Sequence, residues 1–416
     1  MDKQSEVNCL GDKVNCRKTL ITFILQQILG QYENQYFWSS SEHKIYMYDN
    51  GTEVSGDLGF NPYQTGFTKT SDASVIGSNG YDIVKMEQVD RTVHTGNLTL
   101  SMSGGNDLLL KAKLKDSDSV DMGAGDDSVD LQIGASGTSA FGSVSYTKLD
   151  GGSGSDTLDF TRADGTNGQT LTLTFGNATN FENIIGSSNA EAIQGDSNNN
   201  TLVGDGDNST ISSSPVGSDT IYGYGGDDIL VAGSNGSSDN WNMARIGSLS
   251  DYISNMNSSD NTGHDKLYGG SGADTLIGSL GDNTLDGGTG ADTIHTGKGS
   301  DTIILQASSG GSTLADADII TDFTDGTDVF GLDNNLNFSG VSIFQGSGTN
   351  ASHAIIRIGT SGEYLAIVQN TTESSLTEAD FTPVSISNYT PRISTSFVGL
   401  VGSLELAILK NQICFI

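Results

Sequence analysis

The sequence is poor in residues on which several classes of protein depend. Its 416 residues include three cysteines, Cys9, Cys16 and Cys414. Three cysteines cannot form a disulfide framework, and the close pair Cys9 and Cys16 has no zinc-ligand partners nearby. These counts argue against a disulfide-rich scaffold and against a structural zinc site. No apolar run reaches the ~18 residues that a transmembrane helix needs, so no membrane span is predicted.

Basic residues are also scarce. The chain has 19 Lys and Arg against 51 Asp and Glu, which gives a formal net charge of −32. Nucleic acid and acidic membrane surfaces are therefore poor partners, and a divalent cation is the natural counter-charge. Hydrophobic residues make up 35% of the chain, beside 55 glycines. This composition leaves little for a large conventional core and favours the thin interior of a solenoid.

Catalytic motifs are missing as well. The sequence has no Gly-x-Ser-x-Gly nucleophile elbow and no His-Glu-x-x-His metalloprotease helix. The five histidines are scattered along the chain. No catalytic residue is assigned, and the residues favour a protein that is not an enzyme. A β-helical lyase or epimerase that uses Asp, Lys or Tyr on its flank stays open as an alternative.

A nine-residue repeat runs without a gap through residues 263–304. Its central glycines are Gly263, Gly272, Gly281, Gly290 and Gly299. Two places later the sequence has Asp265, Asp274, Asn283, Asp292 and Asp301. Two places further on it has Leu267, Leu276, Leu285, Ile294 and Ile303. The shared pattern is Gly-Gly-x-Gly-x-Asp-x-U-x, where U is a large aliphatic residue.

This spacing predicts a coil that is built from two repeats. The glycine-dense part suits a tight turn with exposed carbonyl groups, and the last three residues form a strand whose U residue points inward. Two repeats complete a coil of eighteen residues, so Asp274 lies above Asp292 on one edge. Asp265, Asn283 and Asp301 line the other edge. An ion between stacked turns has only oxygen ligands, which favours Ca²⁺.

The predicted Ca²⁺ ligands belong to turns in both halves of the chain. Looser copies of the pattern begin near residue 73, and the intervals between the aspartates of the copies at Gly80, Gly105, Gly125 and Gly154 are not multiples of nine, so stacking of their ion sites is left open. The nine-residue register returns at Gly186 and runs through Gly195 and Gly204. Asn283 removes one charge, and we expect weaker binding at its two neighbouring sites. The predicted metal-site residues are Asp127, Asp156, Asp219, Asp228, Asp265, Gly270, Gly272, Asp274, Gly281, Asn283, Gly288, Gly290, Asp292, Gly299 and Asp301.

These repeats resemble the RTX, or haemolysin-type, calcium-binding family over roughly residues 77–304. The resemblance implies a parallel β-roll that folds outside the cell. It also implies export through a type I channel, by an uncleaved signal at the C-terminal end. Residues 315–381 are similar to the unit that follows such repeats in bacterial exoproteins. A covering unit is expected there in any case, because a solenoid needs its open end capped.

The predicted fold is all-β, a parallel β-roll or β-helix solenoid of glycine-rich repeats. Residues 1–72 form a non-repetitive N-terminal segment, with a short helix at 19–29 favoured over a Sec signal. The solenoid is irregular and then regular over 73–231, is interrupted by an inserted loop at 232–262, and becomes uninterrupted at 263–304. Residues 305–381 form an antiparallel β cap. Residues 382–416 are a tail with a candidate type I secretion signal and an amphipathic helix at 396–410.

The expected function is that of a secreted or cell-surface protein that binds several Ca²⁺ ions and folds when it binds them. Stacked carboxylates repel one another without the ion, and the glycine-rich backbone loses much entropy on ordering. A cell-surface or polysaccharide contact is an open partner. The alternatives are a calcium-dependent carbohydrate-active enzyme, a lyase or epimerase, and a toxin or adhesin that carries such repeats.

Overall fold

The computed structural model describes residues 72–77, 79–86, 96–134, 138–206, 217–233, 262–333 and 336–385, together with three short N-terminal strands. Three sequence predictions lie outside the described residues. They are the helices predicted at 19–29 and 396–410 with the tail signal, and nearly all of the insertion at 232–262. Within the described ranges no α-helix occurs. No helix there has the length and apolar character needed to cross a membrane.

The described residues are mostly short strands. The strands of the first half are β1 (Gln35–Phe37), β2 (Tyr48–Asp49), β3 (Thr52–Glu53), β4 (Ala73–Ile76), β5 (Ile83–Lys85), β6 (Leu98–Ser101), β7 (Leu108–Ala112), β8 (Ser119–Asp121), β9 (Ser128–Leu131), β10 (Lys148–Asp150), β11 (Thr157–Asp159), β12 (Thr170–Thr172), β13 (Asn183–Ile185) and β14 (Ala192–Gln194). The strands of the second half are β15 (Thr201–Asp205), β16 (Thr220–Gly225), β17 (Ile229–Gly233), β18 (Lys266–Ser271), β19 (Thr275–Ser279), β20 (Thr284–Thr289), β21 (Thr293–Gly297), β22 (Thr302–Leu305), β23 (Asp318–Ile320), β24 (Val329–Leu332), β25 (Val341–Gln345), β26 (Ala354–Ile358), β27 (Tyr364–Val368) and β28 (Phe381–Pro383). Single turns of 3-10 helix lie at Phe141–Ser143, Phe175–Asn177, Leu314–Asp316, Phe338–Gly340, Gly348–Asn350, Glu373–Ser375 and Glu378–Asp380.

Successive strands alternate between two faces of a solenoid. In the described part of the chain, one face is a fourteen-stranded sheet that we call the long sheet, in the order β1-β5-β7-β9-β11-β13-β15-β17-β19-β21-β23-β27-β26-β25. The other face has a four-stranded sheet, β10-β8-β6-β4, followed by an eight-stranded sheet, β12-β14-β16-β18-β20-β22-β24-β28. Pairing is parallel from β4 to β24, which confirms the predicted β-roll.

The eighteen-residue coil is visible in the strand register. Leu267 pairs with Leu285, and Leu276 pairs with Ile294. These side chains are fully buried, as are Leu230 and Ile303. Each one contributes about 1.5–3 kcal/mol when it is removed from water. One large aliphatic residue per half-coil therefore builds the interior, as the spacing predicted.

The turns are possible only with glycine at defined places. Gly272 and Gly290 have φ values of +141° and +143°, in a region that L side chains rarely adopt. A Cβ on Gly290 would also overlap the carbonyl oxygen of Gly272 in the coil below. Close stacking of one turn on the next therefore requires glycine in the repeat.

The irregular first half stacks in the same way as the regular half. Asp82, Asp107, Asp127 and Asp156 follow one another on one edge, although their spacings are 25, 20 and 29 residues. The longer coils enclose extra aromatic side chains. The rings of Phe160 and Phe175 lie 5.0 Å apart, edge to face. Coil length thus varies while the turn geometry is kept.

The segment after Ile304 is only partly the antiparallel unit that the sequence predicted. β23 pairs in parallel with β21 and β27, and β24 pairs in parallel with β22 and β28. Among the described strands after Ile304, antiparallel pairing is limited to β25 with β26 and β26 with β27. Inward apolar residues such as Ile320, Phe330 and Phe381 continue past the last nonapeptide. They let the coil extend before the hairpin covers its open end.

Candidate metal centre

Two columns of turns run along the solenoid. The turns that lead into the long sheet form the first edge, which includes the turns ending at Asp228, Asp274 and Asp292. The turns that lead into the eight-stranded sheet form the second edge, which includes those ending at Asp219, Asp265, Asn283 and Asp301. Asp127 and Asp156 belong to the first edge as well. Of the predicted glycines, Gly270, Gly272, Gly288 and Gly290 lie in first-edge turns, and Gly281 and Gly299 lie in second-edge turns.

The aspartates of the first edge form a hydrogen-bonded ladder. The backbone N–H of Asp228 donates to Oδ1 of Asp274 at 2.7 Å, and that of Asp274 donates to Oδ1 of Asp292 at 2.8 Å. The N–H of Asp292 continues the series to Oδ1 of Asp318 at 3.1 Å. One oxygen of each carboxylate therefore fixes the register between coils.

The second oxygen of each of these carboxylates has no protein partner. Oδ2 of Asp228, Asp274 and Asp292 is buried and accepts no hydrogen bond. The same holds for Oδ2 of Asp107, Asp127 and Asp156, which lie nearer the N-terminal end of the same edge. An unpaired buried carboxylate oxygen is costly, because it has lost water without a replacement. A repeated row of such atoms indicates that another positive group belongs beside them.

The unpaired oxygens of Asp228 and Asp274 each face a small cradle at the first glycine of their own turn. A Cβ on Gly269 would meet Oδ2 of Asp274 and the carbonyl oxygen of Gly287 in the next coil. A Cβ on Gly223 would likewise meet Oδ2 of Asp228 and the carbonyl oxygen of Gly269. The space therefore brings together a carboxylate oxygen and a carbonyl oxygen from two coils. This all-oxygen donor set is the kind that Ca²⁺ prefers.

The first edge is interrupted once, between its irregular and regular parts. The N–H of Asp156 donates to Oε2 of Glu182 rather than to an aspartate. In the next coil Asn200 takes the aspartate place, and its Nδ2 donates to the carbonyl of Glu182. Asn200 cannot carry the charge of a carboxylate. The neutral side chain of Asn200 therefore lies between the two stretches of unpaired aspartate oxygens.

The second edge has the same ladder of backbone N–H groups and side-chain oxygens, but different side chains lie beside it. The N–H of Asp265 donates to Oδ1 of Asn283, and the N–H of Asn283 donates to Oδ1 of Asp301. The hydroxyl of Ser279 lies 3.2 Å from Oδ2 of Asp265 and 3.1 Å from Oδ1 of Asn283. Ser279 thus supplies inside the protein the partner that Asp274 and Asp292 lack.

The amide of Asn283 changes its cradle too. Its Nδ2 donates to the carbonyl of Gly281 at 2.8 Å, and a Cβ on Gly278 would meet this nitrogen. A nitrogen donor repels a cation. The expectation that Asn283 weakens its two neighbouring sites stays a prediction, and this hydrogen bond supplies a physical reason for it.

The carboxylates of both edges are difficult to ionise without a counter-ion. Burial raises the pKa of Asp274 to about 6 and that of Asp292 to about 7. Burial also raises the pKa of Asp301 to about 8 and that of Asp219 to about 9. Neighbouring carboxylates raise these pKa values further. A bound divalent cation would allow the stacked carboxylates to be charged together.

Two residues of this region were missed by sequence reasoning. Ser279 stands where Gly270 and Gly288 stand in the neighbouring turns, and a serine in a variable repeat gave no signal of a competing hydroxyl. Asp205 also stands in a glycine place, yet it is buried with an unpaired Oδ2. The signal available in the sequence was a carboxylate at a place where the repeat pattern has glycine.

The comparison with known families agrees with this geometry. A family model described as the RTX calcium-binding nonapeptide repeat matches the chain in four copies, at residues 185–213, 216–236, 259–285 and 268–303. The matched residues contain the regular coils of both edges. The search of curated proteins finds no match to the chain.

Proposed function

The chain carries RTX calcium-binding repeats at residues 185–303, and we propose that it is a secreted protein that binds several Ca²⁺ ions between stacked turns and folds on binding them. The observation that carries the proposal is the row of buried, unpaired Oδ2 atoms on Asp228, Asp274 and Asp292. Oδ2 of Asp228 and Oδ2 of Asp274 each lie beside a carbonyl oxygen of the next coil, in a space kept open by glycine.

Calcium supplies the positive charge and the binding free energy that the coil lacks. The net charge of −32 and the stacked carboxylates oppose compaction, and each half-coil buries one large aliphatic residue. Metal binding to a site that exists only in the folded chain adds its free energy to folding. At a hundredfold excess over Kd each site contributes about 2.7 kcal/mol. A few sites therefore decide whether the coil is stable.

The same dependence supports secretion. Extracellular calcium modules have Kd values of about 10⁻⁴ to 10⁻³ M, so such sites fill only where free calcium is high. A chain of this kind stays unfolded during synthesis and folds after export. Type I export by a signal in residues 382–416 belongs to this proposal. Fractionation of expressing cells tests it, since the protein should be found outside the cell or at its surface.

The folding proposal is tested by circular dichroism of the full chain in chelator, followed by titration with CaCl₂. We expect the β signal to appear cooperatively with Ca²⁺ and to reverse on adding chelator. Titration with MgCl₂ is the matched control, because Mg²⁺ demands a smaller octahedral shell and should not induce the signal at equal concentration. A complete β signal in excess chelator would contradict calcium-dependent folding.

A further inference from the structure

Asp205 puts a carboxylate in a repeat place that holds glycine in several of the regular turns. In the turns of the regular coils this place holds Gly270 and Gly288. Asp196 holds it in the preceding turn, where its side chain is exposed and accepts the N–H of Asn198. Asp205, in contrast, is only 4% exposed. A buried carboxylate at a glycine place requires a partner.

The side chain of Asp205 points into a cluster of carboxylates on the second edge. Carboxylate oxygens of Asp205, Asp219 and Asp265 all lie within 4.8 Å of one another, and the three residues are buried. Oδ2 of Asp205 and Oδ2 of Asp219 accept no hydrogen bond. Oδ1 of Asp205 accepts the N–H of Gly217 at 3.3 Å, which holds the side chain in place. One oxygen from each of three carboxylates thus faces a common space, and two of these carboxylates have an unpaired buried oxygen.

The cluster holds more negative charge than the intervals of the first edge. Between two stacked turns of the first edge there are two carboxylates, one from each turn, whereas three carboxylates converge at Asp205. Glu191 lies beside them, since its backbone N–H donates to Oδ1 of Asp219 at 2.7 Å. Its Oε2 is also buried without a partner. Repulsion among these groups is relieved only by protons or by a cation.

The position of Asp205 connects two interruptions of the coil. Asp205 pairs with Gly233 in the parallel ladder between β15 and β17. It also binds Gly217, where the described chain resumes after residue 206. Asp265 follows residue 262, where the chain resumes after 233. The cluster therefore lies where both inserted segments leave or rejoin the solenoid.

We infer that Asp205, Asp219 and Asp265 form a three-carboxylate cation site that binds Ca²⁺ more tightly than the sites between regular turns. The inference rests on the proposed function and adds a residue from outside the repeat pattern. Ligand charge is one of the factors that set calcium affinity in oxygen sites. The bound ion joins Asp205 and Asp219, which lie on either side of the segment after residue 206, to Asp265 in the next coil. It so ties the described ends of both insertions to the coil.

The test is isothermal titration calorimetry of the full chain with CaCl₂, after refolding and removal of calcium. For the wild type we expect a tight class of one site and a weaker class of several. Asp205→Asn keeps the size of the side chain and its bond to Gly217, and should weaken the tight class at least about tenfold while leaving the weaker class unchanged. Asp196→Asn is the matched control, at the same repeat place with an exposed side chain, and should behave as the wild type.

Asp205→Gly provides a second variant, because it restores the glycine of the repeat. If Asp205→Asn fails to refold in saturating calcium, the same loss of the tight class is expected for Asp205→Gly. An Asp205→Asn isotherm that superimposes on the wild type, or a wild type with equal sites only, overturns the inference and leaves the proposed function standing. A wild type that shows no heat of calcium binding overturns both.

Discussion

The two edges of the solenoid use one repeat and arrive at different electrostatics. On the first edge, Asp228, Asp274 and Asp292 each keep one buried oxygen unpaired. Those of Asp228 and Asp274 lie beside a carbonyl of the next coil. On the second edge, Oδ2 of Asp219 and Oδ2 of Asp301 are unpaired as well. Between these two turns, however, Ser279 already binds Oδ2 of Asp265, and Asn283 places a nitrogen in its cradle. The strand register and buried aliphatic ladder are the same on both faces. Stacking therefore does not depend on every turn being suited to an ion.

Comparing the two edges separates the part of the repeat that stabilises the fold from the part that is available to bind the ion. The aliphatic residue and the Oδ1 acceptor are kept at every regular turn, with Asn283 replacing aspartate as an equally good acceptor. At the turns ending at Asp265 and Asn283, the differences from the first edge are Nδ2 of Asn283, which replaces an Oδ2, and Ser279, which stands in a glycine place. A hydrogen-bond ladder made by Oδ1 fixes the coil, and the free Oδ2 is the group available to a cation.

The largest effect is expected from removing a carboxylate on the first edge. Asp274→Asn keeps the acceptor for the N–H of Asp228 but removes the charge shared by the intervals on either side. Loss of two sites should lower the free energy of unfolding in saturating calcium by about 5 kcal/mol at a hundredfold excess over Kd. Thermal unfolding in calcium and in chelator measures this, and the variant should differ from wild type mainly in calcium.

The control for that variant is Asp227→Asn, which removes the same charge from an exposed neighbour whose Oδ1 accepts the N–H of Ala273. Its unfolding midpoint in calcium should stay close to that of the wild type. Equal losses for the two variants would mean that general charge, rather than the buried oxygen, governs the calcium response.

The next effect comes from converting the second edge into the first. Ser279→Gly combined with Asn283→Asp removes the competing hydroxyl and restores the carboxylate. Between residues 265 and 283, where the hydroxyl is removed, we expect one additional bound Ca²⁺ and a gain of about 2.7 kcal/mol at a hundredfold excess over Kd. Calorimetric stoichiometry checks this. Asn283→Asp alone should gain less, because Ser279 still occupies the space, and a full gain from the single change would contradict that role.

The pH dependence of stability should change sign with calcium. Burial raises the pKa of Asp274 to about 6 and that of Asp292 to about 7, above the 3.8 of an exposed aspartate. Without calcium the folded chain therefore binds more protons than the unfolded chain between about pH 4 and pH 7. Its free energy of unfolding should fall as the pH rises through that window.

With saturating calcium the ion favours the charged carboxylates, so stability should instead fall as the pH is lowered. Unfolding midpoints at pH 5 and pH 7.5, in calcium-free and calcium-containing buffer, measure both slopes. Parallel slopes in the two buffers would show that calcium does not replace protons on these groups.

The smallest effect is expected from Ser279→Ala. The variant loses the hydrogen bonds to Asp265 and Asn283 and leaves Oδ2 of Asp265 unpaired. The cost should be about 1–3 kcal/mol in chelator, with no change in the number of bound ions, since Asn283 remains. A new calcium site in this variant would show that the hydroxyl alone distinguishes the second edge.

The sequence predicted the regular coil well because its information is periodic. Leu276 and Ile294 recur at the interval that places them on one face, and Asp274 and Asp292 follow the same interval on one edge. The irregular coils were harder, because their closure depends on packing of side chains such as Phe160 and Phe175, which have no period. The extended parallel pairing after Ile304 was missed for the same reason.

The chemistry of individual turns could be predicted only in part. Asn283 was recognised as a loss of charge, since its place in the repeat is fixed. The role of Ser279 depends on where its hydroxyl points, and the role of Asp205 depends on Asp219 and Asp265, which lie beyond inserted segments. Spacing cannot show such contacts between distant residues.

The most direct test of the central claim is a crystal structure of the calcium-loaded protein with an anomalous difference map. We predict peaks on the first edge within about 2.3–2.6 Å of Oδ2 of Asp274 and Oδ2 of Asp292, with carbonyl oxygens of the adjoining coil in the same shell. We predict no peak between Asp265 and Asn283, where Ser279 fills the space. Calcium found only on the outer surface, with both Oδ2 atoms still unpaired, would contradict the account.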